Sequence, residues 1–224
     1  MMDDLIRRAG LPAEVSLAAV IEAVHQMPYG RPTERTAPGA LAEWRGTCST
    51  KHALLAAVLA ERWPLSHPRL VHRVYLCTRA QAARRFGPRA ASVVPDQGLW
   101  DVHRFMIAVI GRATGSPAAG ANAGANAGAN GGPTGSPAGS AASGPTGGAN
   151  RGATGSPAGG PRIVIDVTFA WLPGWDGATS MAVACGPGTD HAAGTDPDAD
   201  KRALERLYCD PRVREPFIAA LAQP

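Results

Sequence analysis

Apolar positions along the chain fall into two rhythms. Between residues 14 and 27, Val15, Ala18, Ala19, Val20, Ile21 and Val24 recur at helical spacing, and Met27-Pro28-Tyr29-Gly30-Arg31-Pro32 stops the pattern. An amphipathic helix is expected there. Residues 33–41 are polar and punctuated by Pro and Gly, the composition of a loop. Residues 53–60 are apolar on nearly every side, which predicts a buried helix starting at Thr47-Cys48 and ended by Pro64, about four turns later.

Then the rhythm changes. Residues 69–78 alternate and carry Val71, Val74 and Tyr75, a strand pattern, followed by a short basic helix over 81–86 and a loop bracketed by Pro88 and Pro95. Residues 99–110 read as a mostly buried strand, with His103, Phe105, Ile107 and Val109 on one face and Val102, Arg104, Met106 and Ala108 on the other. Residues 162–170 read as its partner, placing Arg162, Val164, Asp166 and Thr168 opposite in facing to Ile163, Ile165, Val167 and Phe169. Asp176-Gly177 marks a turn, 179–185 a short strand, 186–200 a solvated loop, and 200–208 and 213–222 two closing helices.

Composition changes the picture between the last two long strands. Residues 113–161 consist of Ala, Gly, Asn, Pro, Ser and Thr with Arg151 as the single charge, and Thr-Gly-Ser-Pro-Ala recurs from Thr114, Thr134 and Thr154. No repeat carries an apolar stripe, so the block is expected to be a disordered insertion and not a solenoid. Residues 1–112 and 162–224 then make one discontinuous α+β domain, with the block as an overgrown hairpin turn. If His103 and Asp166 face each other across that hairpin, Met106 lies opposite Ile163 and Val109 opposite Gly160.

The net charge of +4 comes from scattered arginines with few aromatics beside them, which disfavours nucleic acid as a partner. No run reaches membrane-spanning length and no leader pattern opens the chain, so a cytoplasmic protein without membrane partners is expected. Cys48, Cys77, Cys185 and Cys209 are far apart, with no Cys-x-x-Cys pair to suggest zinc or a disulfide framework.

The candidate chemistry centres on Trp44-Arg45-Gly46-Thr47-Cys48-Ser49-Thr50-Lys51-His52. Gly46 permits a tight turn, Thr47 can cap the helix, and Cys48 falls where free N–H groups and the positive end of the helix dipole favour a thiolate. Downstream, a His in one apolar strand and an Asp in the next complete a nucleophile, base and orienting carboxylate. A carboxylate inside so apolar a strand needs a partner, and His103 would supply one to Asp166. Asp101, on the same strand face as His103, is the rival for that role. His52, one turn after Cys48, could suggest a metal pair, but no motif provides further ligands. His25, His67, His72 and His191 read as surface or loop residues.

Gly46-Thr47-Cys48, Val102-His103-Arg104-Phe105 and Ile165-Asp166-Val167-Thr168-Phe169, in that order, resemble the transglutaminase-like superfamily of the papain-like fold. The resemblance spans residues 14–169 outside the repeats. It implies a Cys-bearing buried helix packed on a small antiparallel sheet, a Cys48-His103-Asp166 triad, and no cofactor. It also implies thioacyl chemistry on a peptide or small amide or ester, ending in hydrolysis, deamidation or transamidation. Such folds often complete the oxyanion hole with an upstream side chain, for which Tyr29 is the candidate. The cysteine turn lacks the glycines, Glu and Asn of arylamine N-acetyltransferases, and no calcium site is visible. A catalytically silent binding module of the same fold is the alternative.

Overall fold

Short polar caps, more than long apolar runs, decide where the helices begin. A computed structural model of the chain describes residues 1–111 and 160–222; the repeat block, up to residue 159, lies outside the described residues. Among the described residues the α-helices are α1 (Met2–Ala9), α2 (Leu17–His25), α3 (Ala37–Glu43), α4 (Cys48–Arg62), α5 (Arg79–Phe86), α6 (Pro88–Ser92), α7 (Pro197–Tyr208) and α8 (Pro211–Leu221). Ser16, Thr36, Thr78, Asp196 and Asp210 each accept N–H groups of the first turn that follows, supplying donors a helix start leaves unpaired.

Four strands, β1 (Arg69–Cys77), β2 (Leu99–Val109), β3 (Arg162–Ile165) and β4 (Thr189–Ala192), form one antiparallel sheet in the order β3-β2-β1-β4. The chain is therefore an α+β protein with a small antiparallel sheet. β2 is central and buried on both faces. Met106, Ala108, Ile163 and Ile165 pack with Leu54, Leu55, Val58 and Leu59 of α4 and with α2, while Tyr75, Cys77 and Leu99 pack with Phe217 of α8 and alanines of α5 and α6. No helix among the described residues is long and apolar enough to cross a membrane.

Several expectations need correction. Residues 33–41 are not all loop: Thr36 caps α3, with Gly39 N–H on its hydroxyl at 3.1 Å. Pro88 opens α6 where a loop was expected, because proline suits a first helical turn. Residues 179–185 form no strand; the fourth strand is β4, inside the expected loop. Its sequence Thr-Asp-His-Ala is too polar for periodicity to reveal, and the Asp190–Arg73 pair at 2.6 and 2.8 Å supports it against β1. His25 and His72 are fully buried, not superficial.

The β2–β3 register also differs. Met106 pairs with Ile165 and Val109 with Arg162, two residues along from the expectation, and β3 ends before Asp166. A slip of two keeps every side chain on its expected face, whereas a slip of one would have reversed them all.

Candidate active site

α4 begins where three backbone segments converge. Trp44 adopts a left-handed conformation (φ 52°) to end α3, and Gly46 then exchanges hydrogen bonds with the chain around Tyr29: Gly46 N–H to Pro28 O (3.1 Å) and Gly30 N–H to Gly46 O (3.2 Å). A Cβ on Gly46 would sit 2.7 Å from Lys51 Cγ and 2.8 Å from Thr50 Oγ1, so the turn needs glycine for close approach. Thr47 is the N-cap residue, and its N–H is accepted by Thr50 Oγ1 at 3.1 Å.

Beyond Cys48, residues Ser49, Lys51 and His52 each tie this turn to a different part of the chain. Cys48 opens the helix, nearly buried at 8 % exposure. Ser49 O accepts from Arg104 (3.2 Å), and Ser49 Oγ accepts from Lys201 (2.7 Å). Lys51 is fully buried, and its Nζ donates to His25 O, Met27 O and Thr168 O at 2.9, 2.9 and 3.1 Å. Burial pulls Lys51 down to about 7 against the opposing charge of Asp166, and the three carbonyls match the three protons of an ammonium. His52 Nδ1–H donates to Cys48 O (2.7 Å) while its Nε2 accepts Val167 N–H (3.1 Å). Both ring nitrogens are thus committed to backbone in the neutral tautomer, and burial lowers the group to about 4. His52 is a strut between α4 and the Asp166 segment, not half of a metal pair.

That segment is held rigidly after β3 ends. Asp166 Oδ1 accepts the N–H (3.1 Å) and hydroxyl (2.6 Å) of Thr168, and Oδ2 accepts Ala184 N–H (2.8 Å) and faces His103 Nε2 at 2.7 Å. Burial opposes its charge, but His103 and these donors hold the carboxyl below the usual range. Asp101 is occupied elsewhere, with Arg214 Nε at 2.6 Å and Tyr75 OH at 3.1 Å. Asp166, and not its rival, is therefore the carboxylate on His103.

With Nε2 on Asp166, His103 has Nδ1 left for the thiol. Burial disfavours the imidazolium, but Asp166, nearby Cys185 and Cys48 together raise its pKa well above the ordinary value. Burial likewise disfavours a thiolate at Cys48; the Lys201 charge and His103 outweigh it and bring the thiol down to about 6. Burial drives the other three cysteines the opposite way, to about 12 for Cys77, 11 for Cys185 and 12 for Cys209. Both shifts favour a thiolate–imidazolium pair over the neutral thiol and imidazole.

Lys201, on α7, is the residue that sequence reasoning did not single out: Nζ lies 3.3 Å from Cys48 Sγ. Arg104, fully buried in β2, holds α7 there, donating to Pro197 O (2.6 Å) and pairing with Asp198 (2.8 Å) as well as reaching Ser49 O and His72 Nε2. An arginine inside an apolar strand was the available signal for Arg104; Lys201, in a helix of mixed charges, had none. Cys48 opens onto a cleft of about 140 Å³ lined by Tyr29, Arg31, Arg35, Lys201, Arg202 and Arg214, among others. Tyr29 leans on Phe169, ring centroids 4.8 Å apart. No family model, curated protein or solved structure matches the chain.

Proposed function

We propose that the protein is a cysteine-dependent acyl transferase or amide hydrolase of transglutaminase-like, papain-like fold, with Cys48 as nucleophile, His103 as acid and base, and Asp166 as the orienting carboxylate. The observation that carries this reading is the buried His103–Asp166 pair at 2.7 Å standing next to a thiol lowered to about 6 at a helix N-terminus. Structural cysteines are inert and their pKa values rise with burial, as the other three here do; only Cys48 departs from that pattern.

The chemistry follows from the protonation states. The Cys48 thiolate attacks a carbonyl carbon, the π pair moves to oxygen, and the Cys48 N–H, which has no intrahelical acceptor, donates to that oxygen. The His103 imidazolium then protonates the departing amine or alkoxide, leaving a thioester and a neutral imidazole. Asp166 keeps the ring oriented and steadies its charged form without itself taking the proton. In the second half, imidazole deprotonates water or an amine, which displaces the thiolate and restores the ion pair. Substrates are small amides, esters or peptides able to enter the cleft. Reacting the full chain with an activated ester and following intact mass tests the reading: acylation confined to Cys48, followed by deacylation, is expected. A Cys48 no more reactive than Cys209 would instead identify a silent binding module.

A further inference from the structure

The oxyanion formed on Cys48 needs more than one backbone donor, and Tyr29, which lines the same cleft with its ring against Phe169, is one candidate beside Lys201. We infer that Lys201 is a catalytic residue of this site, its ammonium holding the oxyanion together with the Cys48 N–H. The inference rests on the acyl-transfer reading above. Nζ lies 3.3 Å from Sγ, and the developing oxyanion is only two bonds from that sulfur, so the ammonium reaches it by a small swing of its stem.

Its surroundings leave its charge free for this purpose. Lys201 is 5 % exposed, and its nearest carboxylate, Glu205, sits 3.7 Å away while accepting from Arg214 at 2.8 Å. Asp198, the other acid lining the cleft, is bound to Arg104, and Asp101 to Arg214. The acids are committed to arginines, and the hydroxyl of Ser49 (2.7 Å) only steers the ammonium. Buried positive charge without a committed counter-ion is costly unless negative charge arrives. Two states supply it: the thiolate, and then the tetrahedral oxyanion.

The second state gains more. A thiolate is large and a weak acceptor, whereas an alkoxide-like oxygen is compact and takes a short, charge-assisted hydrogen bond. As the sulfur's lone pair becomes the S–C bond and the carbonyl π pair becomes the oxygen's charge, Lys201 follows that charge from sulfur to oxygen. When the oxygen re-forms the carbonyl and the leaving group departs with the His103 proton, the ammonium returns to its starting contact. No proton leaves Lys201 in this cycle. Stronger binding in the transition state than in the ground state is what accelerates a step.

The test separates attack on carbon with an oxyanion from attack without one. Cys48 is acylated with 4-nitrophenyl acetate, through a tetrahedral oxyanion, and alkylated with iodoacetamide, through a displacement that has none. Plateau rate constants from pH profiles remove the contribution of thiolate population. In Lys201→Met the ratio of acylation to alkylation is expected to fall by about tenfold to a hundredfold, and in Lys201→Arg to stay within about threefold of the parent. Lys201→Gln, which keeps a hydrogen bond to Ser49 Oγ, serves where the Met variant does not fold. A ratio unchanged within about twofold in the neutral variant, even with both rates lowered, overturns the proposal and leaves a merely positioning lysine. If the parent's Cys48 alkylates fast but does not acylate, the acyl-transfer reading fails, and the proposal with it.

Discussion

At the scale of single residues, charge placement around one sulfur carries the proposed chemistry. Alkylation of Cys48 by iodoacetamide is expected to rise with pH through about 6, the value its environment sets, while Cys77, Cys185 and Cys209 stay slow at pH 7. Peptide-level mass spectrometry across pH 5 to 9 checks this, and His103→Ala should move the Cys48 midpoint upward. Asp166→Asn is a harsher change than its small size suggests. All four hydrogen bonds of the carboxylate are accepted ones, so an amide necessarily points an N–H at another donor. Turnover should fall by about a hundredfold or more, and stability by about 2 kcal/mol, read from a urea midpoint. The pair also shapes acid stability. Asp166's depressed pKa contributes stability that is complete above about pH 4 and is lost as pH falls further, whereas His103's raised pKa contributes below about 6.5 and is lost as pH rises through its folded value. Between those limits both contributions are present, and Asp166→Asn should flatten the acid side of a plot of urea midpoint against pH.

At the scale of elements, the first turn of α4 works as a hub, and Arg104 and Lys51 are the bolts. Arg104→Lys cannot reproduce a planar group that serves His72, Ser49 O and Pro197 O at once, so α7 loosens and Lys201 withdraws from the thiol. The Cys48 midpoint should rise by about one unit in the same alkylation assay. Lys51→Met leaves three buried carbonyls without their donor and should lower the unfolding free energy by about 3 kcal/mol, with the urea midpoint reduced and the slope unchanged. How much of this was legible in the sequence varies with the physics behind each element. α4, β1 and β2 were legible because burial imposes periodicity on long segments. Cys48 stood out by its place at a helix start, and His103 and Asp166 because polar groups inside apolar strands need partners. Lys201 did not, since a lysine in an amphipathic helix looks the same whether it faces solvent or a sulfur. α3, α6 and β4 were missed because caps, prolines and one edge ion pair set them, and none of these leaves a periodic trace. The β3 register was misjudged by assuming that Asp166 stays in the sheet; its carboxylate instead reaches His103 from a segment held by His52 and Lys51.

At the scale of the whole molecule, the sheet joins the two flanks of the repeat block directly. Ile110 N–H donates to Pro161 O at 3.0 Å, so the chain enters and leaves the block from opposed positions on neighbouring antiparallel strands. Replacing residues 113–159 with Asn-Gly should therefore leave Cys48 reactivity intact and raise the melting temperature or leave it unchanged, because loop closure changes by only about 0.6 kcal/mol per doubling of length. A soluble deletion protein with an unreactive Cys48 would show that the block helps to build the site. The contact between Cys48 and Lys201 spans 153 residues of sequence, and that distance is also an interval of time. At about 5–20 residues per second, a growing chain carries Cys48 for roughly 8–30 seconds before Lys201 has been made. During that interval the cysteine lacks the ammonium and, for most of it, Asp166 as well, so it retains the sluggish chemistry of an ordinary thiol. On the proposed reading, the nascent polypeptide is thus spared its own nucleophile until α7 docks.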